Sequence, residues 1–281
     1  MLKCGITGGY GVLGKHLIKN LNYKFIKFTS RIEKKDILAK WIKKNNFDII
    51  IHLAAVVETK KVENNFKYAK KVNFTGTKYL VKILNEQKKK PLWVFFASTS
   101  HVYKSNKKIK ISENVVTKAF SKYGQTKILA EEYIIKNLKI NYCIGRIFSF
   151  TEKTQNKRYL VPSLVENIKN NKKLFPNLNH YRDFIHINDI CSAIEVLCKK
   201  KATGIFNIGS GKAILLKNLL LKIKIRINKN LKIKFKDNKK ISYLVANIKK
   251  IKKIGWGPKK NIDDIIDNYL HQQLIFYPSF S

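Results

Sequence analysis

Residues 2–18 read Leu2-Lys3-Cys4-Gly5-Ile6-Thr7-Gly8-Gly9-Tyr10-Gly11-Val12-Leu13-Gly14-Lys15-His16-Leu17-Ile18. The short apolar run at residues 2–6 predicts a strand, and the amphipathic stretch from Val12 onward predicts a helix. Gly8, Gly11 and Gly14 fall on the turn between the two and on the start of the helix. Gly8 suits a tight strand-to-helix turn, Gly11 lets a pyrophosphate approach the backbone, and Gly14 allows the helix to pack closely on a sheet. The helix N-terminus, Val12 and Leu13 included, would hold phosphates through free N–H groups and its dipole. A glycine-rich turn alone is a weak signal. Its place after a first strand and before an amphipathic helix is the context a dinucleotide site requires.

The chain after this unit repeats strand and helix. Residues 23–28 predict a second strand, and Thr29-Ser30-Arg31 come directly after it, where an NAD site usually carries an acid for the ribose 2′-hydroxyl. Two hydroxyls and a guanidinium suit a 2′-phosphate, which favours NADP over NAD. The alternative is that Arg31 is one more surface cation, partnered by Glu33 or Asp36. A helix is expected over residues 34–45. The apolar run 47–55 fits a central parallel strand covered on both faces, with the small Ala54-Ala55 leaving room for a cofactor at its carboxyl end. Residues 66–88 predict a long helix interrupted by Asn73-Phe74-Thr75-Gly76-Thr77, poor helix formers. Asn73 is then a locally bonded polar residue or part of the site. Residues 92–97 predict a strand that delivers Ser98, Thr99 and Ser100, and a basic loop spans 104–120. Ser121 can cap the next helix, whose expected buried face is Ile128, Leu129, Tyr133 and Ile134. A fifth strand is expected over 140–148. This order predicts an α/β fold, a doubly wound parallel sheet with its ligand at the carboxyl ends of the strands.

Tyr123 and Lys127 stand four apart on that helix, so they share a face. A tyrosine ionises near pH ~10, and a cation held beside it favours the phenolate and moves it toward use as an acid or base at neutrality. Thr99, at a strand end, could orient the oxygen whose proton moves. The bland alternative is a surface tyrosine and a solvated lysine in a chain rich in both.

With 281 residues, 44% of them hydrophobic, the chain can bury a sizeable core as one large domain or a domain with an appendage. The formal net charge is +40, from 53 lysines and only 5 arginines against 18 acids, spread along the whole length. A nucleic-acid reader concentrates charge and uses arginine forks, so the excess reads as diffuse composition and no nucleic-acid partner is expected. The positive field should attract anionic ligands. Cys4, Cys143, Cys191 and Cys198 form no C-x-x-C pair and lie in apolar segments, so buried reduced thiols are expected and no metal site. No span of 18 apolar residues and no signal peptide is found, which points to a cytoplasmic protein without a membrane partner.

Residues 151–281 are less regular, and are expected to form mainly a substrate-binding region with segments returning to the sheet of a dinucleotide-binding domain at 1–150. Helices are expected at 159–169 and 262–275, and strands at 204–209 and 231–235. Leu274-Ile275-Phe276-Tyr277 offers an apolar end that could dock on the body or on a second subunit, making a homodimer a candidate assembly.

Seven motifs in order carry a resemblance: Thr7-Gly8-x-x-Gly11-x-x-Gly14, Asp48-x-x-x-His52-Leu53-Ala54-Ala55, Asn73-x-x-Gly76-Thr77, Ser98-Thr99-x-x-Val102-Tyr103, Tyr123-x-x-x-Lys127, Arg182-Asp183-Phe184-Ile185-His186 and Phe206-Asn207-Ile208-Gly209. Between Ile6 and about Pro258 the chain resembles the extended branch of the short-chain dehydrogenase/reductase family, the nucleotide-sugar epimerases, dehydratases and reductases. The resemblance implies a Rossmann sheet with a catalytic Thr99, Tyr123 and Lys127, hydride exchanged with NAD or NADP, and a nucleotide-sugar substrate. It also implies that Leu53, Ala54, Ala55 and Phe148 line the cofactor, that Asn73 supports it, and that Arg182 meets a substrate diphosphate. The departures narrow the reaction. Dehydratases of the family carry an acid pair directly after the catalytic hydroxyl residue, where this chain has Ser100 and His101, which argues against dehydration. Tyr159 stands where epimerase-reductases such as GDP-fucose synthase place a second base, and Ser149 stands where many members use Asn for the nucleotide sugar. His101 is then a second acid/base or a hydrogen-bonded structural residue. Reduction of a keto-sugar and 4-epimerisation remain as readings, with a catalytically silent dinucleotide-binding sensor or scaffold as the alternative from a different class.

Overall fold

The computed structural model describes residues 1–176, 178–236 and 241–274. The chain opens with β1 (Lys3–Thr7), α1 (Val12–Asn20), β2 (Lys24–Lys27), α2 (Lys35–Asn45) and β3 (Ile49–His52). Then come α3 (Thr59–Asn64), α4 (Phe66–Lys70), a π-helical turn (Lys71–Thr75) and α5 (Gly76–Glu86). β4 (Trp93–Thr99), α6 (Lys122–Asn137) and β5 (Tyr142–Ile147) follow. Beyond them lie α7 (Leu160–Lys169), β6 (Leu174–Phe175), β7 (Tyr181–Arg182), α8 (Ile187–Lys199) and β8 (Gly204–Ile208). The last elements are β9 (Ile214–Leu215), α9 (Leu216–Ile227), β10 (Lys234–Phe235), β11 (Tyr243–Leu244), α10 (Lys249–Lys253) and α11 (Ile262–Leu274).

Six strands form one parallel sheet in the order β2-β1-β3-β4-β5-β8. The doubly wound parallel sheet expected from the sequence is the fold observed. Its order reverses between β1 and β3, and at such a switch point the loops leaving the carboxyl ends diverge and open a crevice. Both faces are covered. Ile49, Ile51, Trp93, Phe95 and Cys143 face one core with Leu17, Ile190, Ile194 and Leu197. Ile50, Val94, Phe96 and Ile144 face the other, with Leu38, Leu80, Leu84 and Ile134. Double coverage is why these strands read as unbroken apolar runs rather than alternating ones. Each fully buried Ile, Leu or Phe contributes about 1.5–3 kcal/mol.

β8 returns to the sheet edge beside β5, so the later part of the chain is interleaved with the earlier part. A third core joins α7, α9 and α11 through Leu164, Ile168, Leu219, Ile223, Ile265 and Tyr269. Among the described residues no helix is long and apolar enough to cross a membrane. All four cysteines are buried.

Several local expectations are corrected. The third strand ends at His52 rather than continuing to Ala55, because Asn73 captures the N–H and the carbonyl of Val56 and draws residues 53–57 away from the sheet. The long helix expected over 66–88 is present as α4 and α5, and its expected interruption is the π-turn at Lys71–Thr75; the separate α3 precedes it. On α6 the buried residues are Gly124, Thr126, Lys127, Ala130, Glu131 and Ile134, while Ile128, Leu129 and Tyr133 are half-buried. Gly14 packs against the turn itself, since a Cβ there would come within 2.5 Å of the Gly8 carbonyl oxygen. The basic loop 104–120 is pinned by buried Ile111, which bridges to Ala246. The docking expected of Leu274-Ile275-Phe276-Tyr277 falls on residues 275–277, which lie outside the described residues.

Candidate active site

A cavity of about 870 Å³ opens at the carboxyl ends of the strands. One wall is the β1–α1 turn, with Gly8, Gly11, Val12, Leu13 and Gly14. Gly8 sits at φ +72°, and a Cβ there would lie 2.8 Å from the Ala54 nitrogen, so only glycine lets this turn meet the residues leaving β3. Those residues, Leu53, Ala54 and Ala55, form the next wall, followed by Thr99, Ser100 and His101 from the end of β4, and Tyr123 and Lys127 from α6. Phe148, Ser149 and Arg182 close the far side. Two candidates lie elsewhere. Arg31 is exposed and does not line the cavity, and Asn73 is fully buried behind it.

Ser121 starts α6 by accepting the Gly124 N–H (3.2 Å), which places Tyr123 on the first turn facing Thr99. Burial, with the neighbouring Tyr159, holds the Tyr123 phenol well above the usual tyrosine range and outweighs the Thr99 hydroxyl, which favours the phenolate. Lys127 does not reverse this, contrary to the expectation that the cation would bring the phenol down. The lysine is itself 2% exposed, and burial lowers its pKa from 10.5 to about 7. Its ammonium lies 4.0 Å from the centre of the Phe96 ring. Glu131, one turn further on, is already taken: it holds Arg146 through both carboxylate oxygens (2.6 and 3.2 Å) and accepts from Ser98. Arg146 also donates to the Tyr103 hydroxyl (2.8 Å), which donates to Asn207 Oδ1 (2.8 Å).

A second buried network runs behind the cavity. Thr77 donates to the Asn73 carbonyl (2.7 Å), so its oxygen accepts from His52 Nε2 (2.9 Å) and His52 Nδ1 accepts from Thr7 (2.6 Å). Burial and the charge of Lys127 lower the pKa of His52 to about 3, and the ring is neutral. The π-turn points Asn73 inward, where its amide binds Val56 twice and donates to Thr126 (2.9 Å). Thr126 in turn donates to the Tyr123 carbonyl (2.7 Å). Asn73 therefore couples residues 53–57 to the helix carrying Tyr123 without reaching the cavity.

Sequence reasoning missed Glu58, Phe120 and Arg158 in the wall, and the Glu131–Arg146 pair beneath it. Glu131 had a legible signal, an acid four residues past Lys127 on the same helical face. Glu58 and Arg158, 100 residues apart and joined at 2.8 Å across the mouth, had none. Burial holds Arg182 down to about 10, still cationic, with one of its nitrogens on the Ser242 hydroxyl (2.9 Å).

The cavity fits a dinucleotide. A Cβ on Gly11 would touch only the Gly8 carbonyl oxygen, at 3.2 Å, so the space above the turn is free for a diphosphate beside the first N–H groups of α1.

Residues 4–209 match the family described as NAD dependent epimerase/dehydratase. The chain is 27% identical over 256 residues to dTDP-D-glucose 4,6-dehydratase of Dictyostelium discoideum, covering 73% of this chain and 57% of that protein's length. It is 23% identical over 308 residues to dTDP-4-dehydro-6-deoxyglucose reductase of Escherichia coli, covering 94% and 95%. In fold it is similar to RMD of Pseudomonas aeruginosa, solved with NADPH, at a TM-score of 0.87, 18% identity and coverage of 99% and 100%. A switch-point crevice, a glycine turn open to a diphosphate and a family match over most of the chain agree: this protein belongs to the NAD dependent epimerase/dehydratase family, and its coenzyme is NAD or NADP.

Proposed function

We propose that the chain moves a hydride and a proton at one carbon of a nucleotide-activated sugar, by reduction of a keto group or by 4-epimerisation through a ketone. The observation that carries this is the convergence of Thr99, Tyr123 and Lys127 on the wall of the cavity that also holds the glycine turn. The bound nicotinamide coenzyme supplies or accepts the hydride. The N–H groups at the start of α1 hold its diphosphate, Leu53, Ala54 and Phe148 flank it, and Lys127 binds its ribose. Tyr123, kept protonated by burial, gives its proton to the sugar oxygen as the ketone is reduced, and the Thr99 hydroxyl stabilises the phenolate left behind. 4-Epimerisation uses the same groups twice, in opposite senses. Arg182 meets the substrate diphosphate.

Dehydration requires a second group to remove a further proton. Among the described residues Glu58 is the one carboxylate on the cavity wall, and it is committed to Arg158 (2.8 Å) and Lys61 (3.2 Å). The test is turnover of UDP-, dTDP- and GDP-linked sugars and 4-keto-sugars with NAD(H) and NADP(H). Net consumption of reduced coenzyme identifies a reductase, whereas inversion with coenzyme retained through purification identifies an epimerase. Tyr123→Phe should lower turnover by about a hundredfold or more and leave coenzyme binding intact; full activity in that variant would overturn the reading.

A further inference from the structure

His101 stands two residues past Thr99, its ring between Phe120 (centroids 5.4 Å apart) and Tyr123 (5.7 Å), edge-on to both. Its backbone is equally constrained. The N–H binds Thr99 Oγ1 (3.2 Å), and the carbonyl accepts the Phe120 N–H (2.8 Å) and lies so close to α6 that a Cβ on Gly124 would overlap it. Nδ1 is 2.9 Å from the Ser121 hydroxyl oxygen. That oxygen accepts the Gly124 N–H as the helix cap, and His101 Nδ1 is the one acceptor that the described residues offer its proton. With Ser121 donating to Nδ1, the imidazole proton resides on Nε2. Nε2 has no hydrogen-bond partner among the described residues, and His101 shares the cavity wall with Tyr123 and Arg182. Burial and the Arg182 charge lower its pKa to about 4, so at neutral pH the ring is a hydrogen-bond donor and only a weak base.

We propose that His101 is a specificity-determining residue whose Nε2–H donates a hydrogen bond to an oxygen of the sugar ring next to the carbon served by Tyr123, with Ser121 fixing the tautomer that makes it a donor. This rests on the reading of the cavity as a nucleotide-sugar site. It gives the position directly after the Thr99-Ser100 pair a binding role, where an acid would give it a role in elimination.

Two geometrically opposite amides separate this role from a structural one. In His101→Gln the side-chain amide nitrogen reaches the place of Nε2, and in His101→Asn it reaches the place of Nδ1, because in each case the nitrogen is the same number of bonds from Cβ. Calorimetric titration of the coenzyme-loaded protein would use UDP-glucose, dTDP-glucose and GDP-mannose, each paired with its free nucleoside diphosphate. His101→Phe and His101→Asn are expected to weaken the nucleotide sugar about fivefold to tenfold, the range of one neutral hydrogen bond, and to leave the free diphosphate unchanged. His101→Gln should restore affinity to within about twofold. Equal losses for sugar and diphosphate, no loss in His101→Phe, or rescue by Asn as good as by Gln would each overturn the donor role. Wild-type protein that binds coenzyme but none of the three nucleotide sugars would remove the functional reading, and His101's role with it. Independently of any sugar, nitrogen-15 NMR of labelled histidine should show the Nε2–H tautomer for His101 in the wild type; an Nδ1–H tautomer would contradict the proposal alone.

Discussion

Helices α6 and α8 pack on opposite faces of the same strands, β4 and β5, and they are held by different forces. The buried side of α8 is Ile190, Cys191, Ala193, Ile194, Leu197 and Cys198, with Asp189 at its start capping the N–H groups of Lys259 and Lys260. Its attachment is the hydrophobic effect, which is proportional to area and indifferent to orientation. The buried side of α6 carries Thr126, Lys127 and Glu131. Hydrogen bonds and ion pairs hold it, and these are directional and costly when one partner is missing. A helix that must set the height and rotation of Tyr123 to fractions of an ångström gains from directional bonds what it loses in apolar area. The same arrangement leaves one charge without a carboxylate, Lys127, in the place where a coenzyme and a substrate would meet it.

The contrast can be tested by substitution, and the greatest effect is expected on α6. Glu131→Gln leaves the Arg146 guanidinium buried without its carboxylate and should lower the unfolding free energy by about 3–5 kcal/mol in urea titrations. Replacing the pair together, Glu131→Leu with Arg146→Met, should recover most of that loss, because the cost lies in the orphaned charge rather than in the missing bond. A loss below about 1 kcal/mol in the single variant would mean that α6 is held as α8 is. On α8, Leu197→Ala should cost about 3 kcal/mol through lost transfer energy and a residual cavity, with turnover per folded molecule unchanged. A drop in turnover there would show that the apolar face also positions the site.

Lys127→Met should change stability with the opposite sign. The folded-state pKa of Lys127 is lowered to about 7 from an ordinary 10.5. Below pH 7 both folded and unfolded chains carry this charge, so the burial penalty is present in full. Between pH 7 and 10.5 the unfolded chain binds more protons than the folded one, stability rises with pH, and above 10.5 the penalty is gone. The methionine variant should therefore melt higher than the wild type below pH 7, with the advantage fading toward pH 10.5, while its turnover is lost. A constant advantage across that range would place the lysine in a wetter setting than its 2% exposure indicates.

Legibility from sequence followed the range of the interactions involved. The β1–α1 turn was readable because its glycines act on residues a few positions away, and the Ser121 cap because its partner is three residues on. The α6 face was misread because periodicity ranks side chains by hydrophobicity. Thr126, Lys127 and Glu131 are buried only because Asn73, the Phe96 ring and Arg146 arrive from other strands and helices to receive them. His52 could be seen interrupting an apolar run, yet its role as a link between Thr7 and Thr77 depends on contacts 45 and 25 residues away. Arg31 occupies the expected position in the chain and is exposed, and its side chain does not line the cavity.

By itself the sequence determined the alternation of strand and helix, the glycine turn at the first strand end, and the Tyr123–Lys127 spacing on a capped helix, all of which come from backbone geometry and local periodicity. Only the tertiary structure decided the protonation of that pair. Spacing suggested a lysine that lowers a tyrosine; folding buries both, so that desolvation raises the phenol and lowers the ammonium. The reason is physical. A pKa is set by solvent exclusion and by charges brought near through space, and neither is written in the distance between two residues along the chain.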